Sequence, residues 1–389
     1  MDRYERSEDN IYMLYTGGTT GMPKGVMYTH GGHLRSLMGT AGAWGMVPID
    51  KKLEIEDIHK EVLKMSEENN LAVNLPGCPL MHGTGMWLGA LIPHLVGGCA
   101  VTIPQLGFDP DHFFKEAERT KATNLIIVGD AFAKPMLDAL DHAASEDRPY
   151  QLEGINSIVS SGVMWSSEVK QGLLKHHDFD LVDAMGSTEV GMGSSRTSME
   201  SSADTAKFQL NPGVIVITDE GEHVKPGSGV IGKIGTSGLV PEGYFKDEKK
   251  SAETFKDFEG KRYSFPGDYA TVEEDGSITL LGRGSNCINT AGEKVYPEEV
   301  EEAIKRHDDI YDCLVVGLKD ERFGQKVVAL ASFNEGREVE EQDLISFTRS
   351  HLAGYKLPKK VLFVEEVLRA PNGKANYKWA KETAELEIG

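Results

Sequence analysis

Residues 15–26 read YTGGTTGMPKGV, and this stretch decides how the rest of the chain is understood. Glycines at 17, 18, 21 and 25 let the backbone come close to an anion. Thr16, Thr19 and Thr20 add hydroxyl donors, and Lys24 adds a positive charge. The apolar run Ile11 to Tyr15 predicts a strand leading into this loop. The spacing is not GxxxxGK[ST], because Lys24 follows Pro23 and precedes Gly25. A merely flexible Gly/Thr linker is the bland alternative, and the Pro-Lys-Gly close argues against it.

Downstream of the loop the chain alternates. A charged stretch from Asp50 to Asn70 carries Leu53, Ile55, Ile58, Val62 and Met65 near helical spacing, which predicts a surface helix. Strands are expected at Cys99–Ile103, Leu125–Val128, Ile155–Val159 and Phe179–Ala184. Helices are expected at Pro110–Arg119, Ala131–Ala144 and Ser166–His176. That order predicts an α/β layer with parallel strands. After about residue 205 the pattern turns to short strands at Val214–Thr218, Gly232–Thr236, Tyr269–Glu273 and Ser277–Leu281, with a hairpin turn at Glu274-Asp275-Gly276. This predicts a β-rich subdomain. A further α/β unit starts near Cys287, where Pro297 opens a helix with Glu298, Glu299, Glu301 and Glu302 in its first turns. Strands Tyr311–Leu318, Val327–Phe333 and Val361–Val364, with a helix from Glu340 to His351, complete it.

Composition narrows the function classes. The 389 residues suggest two or three domains, and a 40% hydrophobic content excludes global disorder. The 43 glycines, about 11% against roughly 7% usual, point to many tight turns and close backbone approaches. A net charge of −20 argues against a nucleic-acid partner, so phosphate must be handled by local geometry and a cation. Cys78, Cys99, Cys287 and Cys313 form no CxxC pair, which makes a zinc site unlikely and fits a reducing compartment. The polar start is no signal peptide. Leu80 to Pro104 is the most apolar stretch, and His82, Pro93 and His94 interrupt it too often for a membrane span. The expectation is a cytoplasmic protein with no transmembrane segment, which leaves peripheral membrane contact and oligomeric state open.

Five motifs, in order, resemble the adenylate-forming (AMP-binding) superfamily, which includes acyl-CoA synthetases, luciferases and peptide-synthetase adenylation domains. The loop at 15–26 is similar to its phosphate loop. DAMGSTE at 183–189 resembles its aromatic-Gly-Ser-Thr-Glu motif, and SFPGD at 264–268 its Thr-Gly-Asp motif. GRGSNCINTAGEKVYPEEVE at 282–301 resembles its hinge and mobile-domain start, and PNGK at 371–374 its catalytic-lysine segment. The 282–301 stretch and NGKANYKWAKE look most like actinobacterial-type fatty-acyl and steroid side-chain CoA ligases.

The resemblance implies a fold and a site. The fold is α/β, with a large domain over 1–283, truncated at its start, a hinge at 284–286 and a mobile α+β domain over 287–389. The activity is ATP-dependent activation of a small-molecule carboxylic acid to acyl-AMP, then transfer to coenzyme A. Thr16, Gly17, Gly18, Thr19, Thr20, Gly21 and Lys24 would hold the β- and γ-phosphates. Glu189 would bind Mg²⁺ and Thr188 the α-phosphate. Met185, Gly186, Ser187, Ser161 and Gly162 would line the adenine side. Asp268 would accept the ribose hydroxyls and Arg283 fix the ribose edge. Lys374 would bridge the acid and the α-phosphate. His82 would align the acyl group, rotation about Ser285 would present Gly292, Glu293 and Lys294 for thioester formation, and no carrier-protein segment follows to favour a peptide synthetase.

Three assignments carry plain alternatives: Ser161–Met164 as a strand-to-helix turn, His82 as a structural histidine, and Asn289–Lys294 as a simple connection. The chain also departs from the pattern. Met185 replaces an aromatic residue, Ser285 stands where Asp or Lys is common, and Asn289 replaces a lysine. Fourteen residues precede Tyr15, where relatives carry a further subdomain of roughly 100–200 residues. The competing expectation is therefore a fragment or truncated non-catalytic remnant that binds nucleotide or a partner without turnover.

Overall fold

A continuous apolar run can stay in a sheet only if both faces are covered, and Leu125, Ile126, Ile127 and Val128 are all fully buried. The computed structural model describes residues 5–16, 23–47, 55–105, 107–201 and 203–388. In it the chain forms two compact units. One comprises residues 1–215, 235–266 and 371–373, and the other 216–234, 267–370 and 374–389.

In the first unit, strands β1 (Ile11–Thr16) and β2 (Lys24–Thr29) pair antiparallel, and helix α1 (His30–Ala43) follows. Strands β3 (Val73–Pro76) and β4 (Cys99–Ala100) are succeeded by α2 (Pro110–Thr120), β5 (Asn124–Ile127) and α3 (Asp130–Ser145). Then come β6 (Ser157–Ser161), α4 (Ser167–Leu174), β7 (Asp180–Gly186), β8 (Gly191–Thr197) and β9 (Lys207–Leu210). Strands β4, β3, β5, β6 and β7 lie side by side and parallel, while β8 and β9 continue antiparallel. The α/β expectation therefore holds, although the strand expected to reach Ile103 stops at Ala100.

Local chemistry sets these elements. Asp109 caps α2 by accepting from His112 N at 3.1 Å, Pro110 occupies its first turn, and Lys121 closes it at φ 53°. Phe113, Phe114, Phe132, Met136 and Leu173 pack from the helices onto the sheet. Beneath β7 lies a buried ion pair: Lys170 Nζ on α4 is 3.1 Å from Asp183 Oδ2, their side chains 1% and 6% exposed. The Trp165 ring lies 5.3 Å from the same ammonium. The short strand β10 (Gly243–Tyr244) adds to β2, with Tyr244 opposite Val26.

The second unit contains the hairpin of β11 (Asp268–Val272) and β12 (Ile278–Arg283), with Gly276 at φ 80° in its turn. After it come β13 (Ile288–Thr290), β14 (Glu293–Val295), α5 (Pro297–Lys305), β15 (Ile310–Asp320) and β16 (Gly324–Phe333). Helix α6 (Glu341–Thr348), β17 (Lys360–Phe363) and α7 (Tyr377–Ile388) end it. Alternation along β15 sends Cys313 and Val315 into one core with Val300 and Ile304 of α5. Leu314, Val316 and Leu318 enter another core with Ala380 and Ala384 of α7. The stretch Asn289–Lys294, expected as a loop, is a β13–β14 hairpin in which Ala291 and Gly292 both have positive φ (52° and 88°). Helix α7 was not foreseen.

Asp183→Ala strands the Lys170 ammonium in a dry interior and is expected to cost about 3–5 kcal/mol. Thermal unfolding checks this: a large fall in Tm, substantially restored by adding Lys170→Met, is the expected result.

Candidate active site

The described part of the first unit gathers much of the anticipated site. In β1 and β2 the register places Thr16 opposite Lys24, so the two ends of the Gly/Thr loop are held together. Gly17, Gly18, Thr19, Thr20 and Gly21 lie outside the described residues.

Strands β7 and β8 form a hairpin in which Gly186 pairs with Gly191, leaving Ser187, Thr188, Glu189 and Val190 in the turn. Ser187 N donates to Val190 O at 2.8 Å, and Ser187 Oγ accepts from Glu189 N at 3.2 Å. A Cβ on Gly186 would sit 2.8 Å from Val190 O, so only glycine fits there. Met185 is buried and Gly186 exposed.

Sequence reasoning missed two residues that grip this turn. The Tyr28 hydroxyl on β2 lies 2.7 Å from the carbonyl oxygens of both Thr188 and Glu189. Burial first, then the Glu189 charge and the neighbouring Tyr244 and Tyr12, push the Tyr28 phenol well up, so it remains a donor. Tyr244 on β10 donates to Glu189 Oε1 at 2.5 Å. Lys24 Nζ sits 5.4 Å from the centre of the Tyr244 ring. Behind Tyr28, His33 stacks on Tyr12 at 4.5 Å and meets Trp87 edge-on at 4.9 Å, while Trp87 Nε1 donates to Tyr12.

Trp87 belongs to a π-helical segment, Thr84–Leu91, preceded by His82. Such turns recur at functional sites. Thr84 Oγ1 donates to Ser161 O at 3.4 Å, and a Cβ on Gly162 would lie 3.7 Å from His82 Cε1. His82, Ser161 and Gly162 are therefore neighbours at the carboxyl end of β6, where parallel sheets commonly bind ligands.

The second unit brings together two more anticipated residues. Asp268 and Arg283 face each other across β11 and β12, with Arg283 Nε 3.2 Å from Asp268 Oδ1. Ser285 lies in a single 3₁₀ turn, Gly284–Asn286. Lys294 Nζ lies 3.3 Å from Asp219 Oδ2, whose other oxygen holds Lys233 at 2.7 Å. Lys374 O accepts from Ala370 N at 2.9 Å, closing the turn that carries it. That turn is braced by Arg369, whose fork holds Asp312 at 2.6 and 2.7 Å. Burial alone would raise the Asp312 carboxyl, but the Arg369 charge holds it below the usual range. Nearby, burial and the Glu298 charge push Glu301 up.

A divalent cation is the implied metal. Among the described residues no group of three or more His, Cys, Asp or Glu could hold one. Glu189, 9% exposed, offers one carboxylate of hard oxygen donors, which suits Mg²⁺ carried largely by phosphates and water. No described helix is long and apolar enough to cross a membrane.

Comparison with known proteins places this geometry in context. Residues 2–245 match the AMP-binding enzyme family and residues 299–374 the AMP-binding enzyme C-terminal domain. The medium/long-chain-fatty-acid–CoA/3-oxocholest-4-en-26-oate–CoA ligase of Mycolicibacterium smegmatis is 40% identical over 386 residues, covering 98% of this chain and 68% of the relative. The 3-oxocholest-4-en-26-oate–CoA ligase of Rhodococcus rhodochrous is 40% identical over 396 residues, covering 99% and 68%. The fold is shared with the ATP-bound RpMatB–BxBclM chimera B3 at a TM-score of 0.79 and 23% identity, covering 100% of this chain and 71% of that one.

Burial first and the His30 charge second lower His33 from 6.5 to about 4. The unfolded chain therefore takes up a proton near pH 6.5 that the folded chain refuses until about pH 4. Stability is fully present above pH 6.5 and is lost as pH falls toward 4, by up to about 3 kcal/mol. Urea unfolding across that window is expected to show this loss, and His33→Phe to flatten it.

Proposed function

Because the chain belongs to the AMP-binding enzyme family and is an AMP-forming acyl-CoA synthetase, we propose that it activates a medium- or long-chain or steroid-derived carboxylic acid in two steps. ATP and coenzyme A are its co-substrates. The two ligases described above act on such acids by name, and their match to 98% and 99% of this chain favours turnover over a non-catalytic remnant.

The chemistry sets an anion against an anion. The acid's carboxylate oxygen attacks the α-phosphorus, forming a C–O–P link as the bond to the β-phosphate oxygen breaks and pyrophosphate leaves. The thiol of coenzyme A, losing its proton, then attacks the acyl carbon. AMP departs with the oxygen that the acid contributed. Positive charge and donors placed where charge develops do most of the work.

Thr16 to Lys24 cradles the β- and γ-phosphates, and Thr188 donates to the α-phosphate. Gly186, Ser187, Ser161 and Gly162 form the adenine side with Met185, whose thioether replaces an aromatic face. Asp268 accepts from the ribose hydroxyls and Arg283 fixes the ribose edge; the 3.2 Å contact between the two side chains supports their acting together. Lys374 supplies the charge between the acid and the α-phosphate, and His82 aligns the acyl group. Rotation about Ser285 exchanges Lys374 for the hairpin turn at Gly292, Glu293 and Lys294; its two-residue form supports that turn as a compact, rigid element that moves as one piece. Glu189 would hold Mg²⁺, which would neutralise charge on the transferred nucleotide. The domains that carry out this exchange are 1–283 and 287–389.

The observation that carries the reading is the Thr188–Glu189 turn held by Tyr28 beside the end of the Lys24 strand. Carboxylate-dependent ATP–pyrophosphate exchange tests it, across short, medium, long-chain and steroid-derived acids. Exchange with the last three classes and little with short acids is expected; none with any acid would contradict the reading. Lys374→Ala is expected to slow that exchange by about 10²–10³-fold, the scale of losing one transition-state charge contact.

A further inference from the structure

We propose that Tyr244 is a positioning residue for Glu189, setting the carboxylate that receives the metal–nucleotide complex. The inference rests on the nucleotide and metal roles proposed above and extends them to a residue outside the five motifs.

A magnesium ion held by one protein carboxylate, phosphates and water depends on that carboxylate keeping one orientation. Glu189 sits in a four-residue turn, and its carboxylate ends a side chain with three rotatable bonds. The Tyr28 hydroxyl holds the backbone of the turn, through the Thr188 and Glu189 carbonyls, but leaves the side chain unset. Tyr244 supplies the missing constraint: its hydroxyl donates to Glu189 Oε1 at 2.5 Å, in a buried setting where a charge-assisted hydrogen bond is strong. Oε1 is thereby occupied, and among the described residues no donor meets the second carboxylate oxygen, which leaves that oxygen for the metal.

Tyr244 is itself rigid. It is 5% exposed, its backbone pairs with Val26 on β2, and its N–H donates to Ser251 Oγ at 2.8 Å. Its ring packs 5.4 Å from that of Phe255, and Lys24 lies over one face. Strand β2 therefore serves both grips, directly through Tyr28 and through the β10 register that fixes Tyr244.

The test is calorimetric titration of the full chain with ATP, in excess Mg²⁺ and in EDTA, on the wild type, Tyr244→Phe, Glu189→Gln and the double variant. Expected is an Mg²⁺-dependent gain in ATP affinity that Tyr244→Phe cuts about tenfold while leaving the EDTA affinity unchanged. In the Glu189→Gln background, Tyr244→Phe is expected to add nothing. Tyr244→His, which keeps a ring and a donor, is expected to retain more of the gain than Phe, and serves if the Phe variant does not fold. Equal weakening in both conditions, or additive loss in the Glu189→Gln background, would overturn the role of Tyr244 alone. A Glu189→Gln chain that keeps the full Mg²⁺-dependent gain would overturn the metal role of Glu189 and this proposal with it.

Discussion

The placement of the Thr188–Glu189 turn depends on the Tyr28 hydroxyl, which lies 2.7 Å from two carbonyl oxygens at once. Those carbonyls belong to a hairpin turn that must project from the sheet and yet stay still. The turn has its own Ser187 bonds, and Tyr28 ties its backbone directly to the strand that carries Lys24. Strand β2 and the acidic turn, distant in sequence, are thus joined at one point. The aromatic stack of Tyr12, His33 and Trp87 packs behind Tyr28 and joins that anchor to the π-helical segment following His82.

The second constraint is electrostatic. A chain of net charge −20 has no general attraction for a nucleotide or a carboxylate, so each positive group must act locally. Lys24 lies against the Tyr244 ring, Arg283 is partnered to Asp268, and Arg369 is spent on Asp312 to brace the turn bearing Lys374. Such pairing fixes orientation before a ligand arrives. Buried Lys170 and Asp183 play the matching role under β7, holding the strand whose end carries the motif.

Much of this was legible in one sequence, and the failures have physical causes. The runs at Leu125–Val128 and the helix starting at Pro110 were readable because burial on both faces and a Pro-led helix start are local signals. Asp268 and Arg283 were readable as motif residues, and the register brings them together. Tyr28 and Tyr244 were not, because a tyrosine in a strand looks like core until its partner, here 160 or 55 residues away, is known. The β13–β14 hairpin hid behind Ala291, which lacks the Asn or Asp usual before Gly in such a turn. Helix α7 hid because its buried face is made of small residues, Ala380 and Ala384, packing on β15, and gives little hydrophobic period to read.

Activation through an acyl-AMP requires that the acid's own oxygen attack the α-phosphate and leave on AMP. Turnover of a carboxylate labelled in both oxygens with ¹⁸O, in the presence of ATP and coenzyme A, tests it by mass spectrometry of the products. The expected result is one labelled oxygen in AMP, unlabelled pyrophosphate and the other labelled oxygen in the thioester. Label in inorganic phosphate with ADP as the nucleotide product would mean an acyl phosphate instead, and would contradict it.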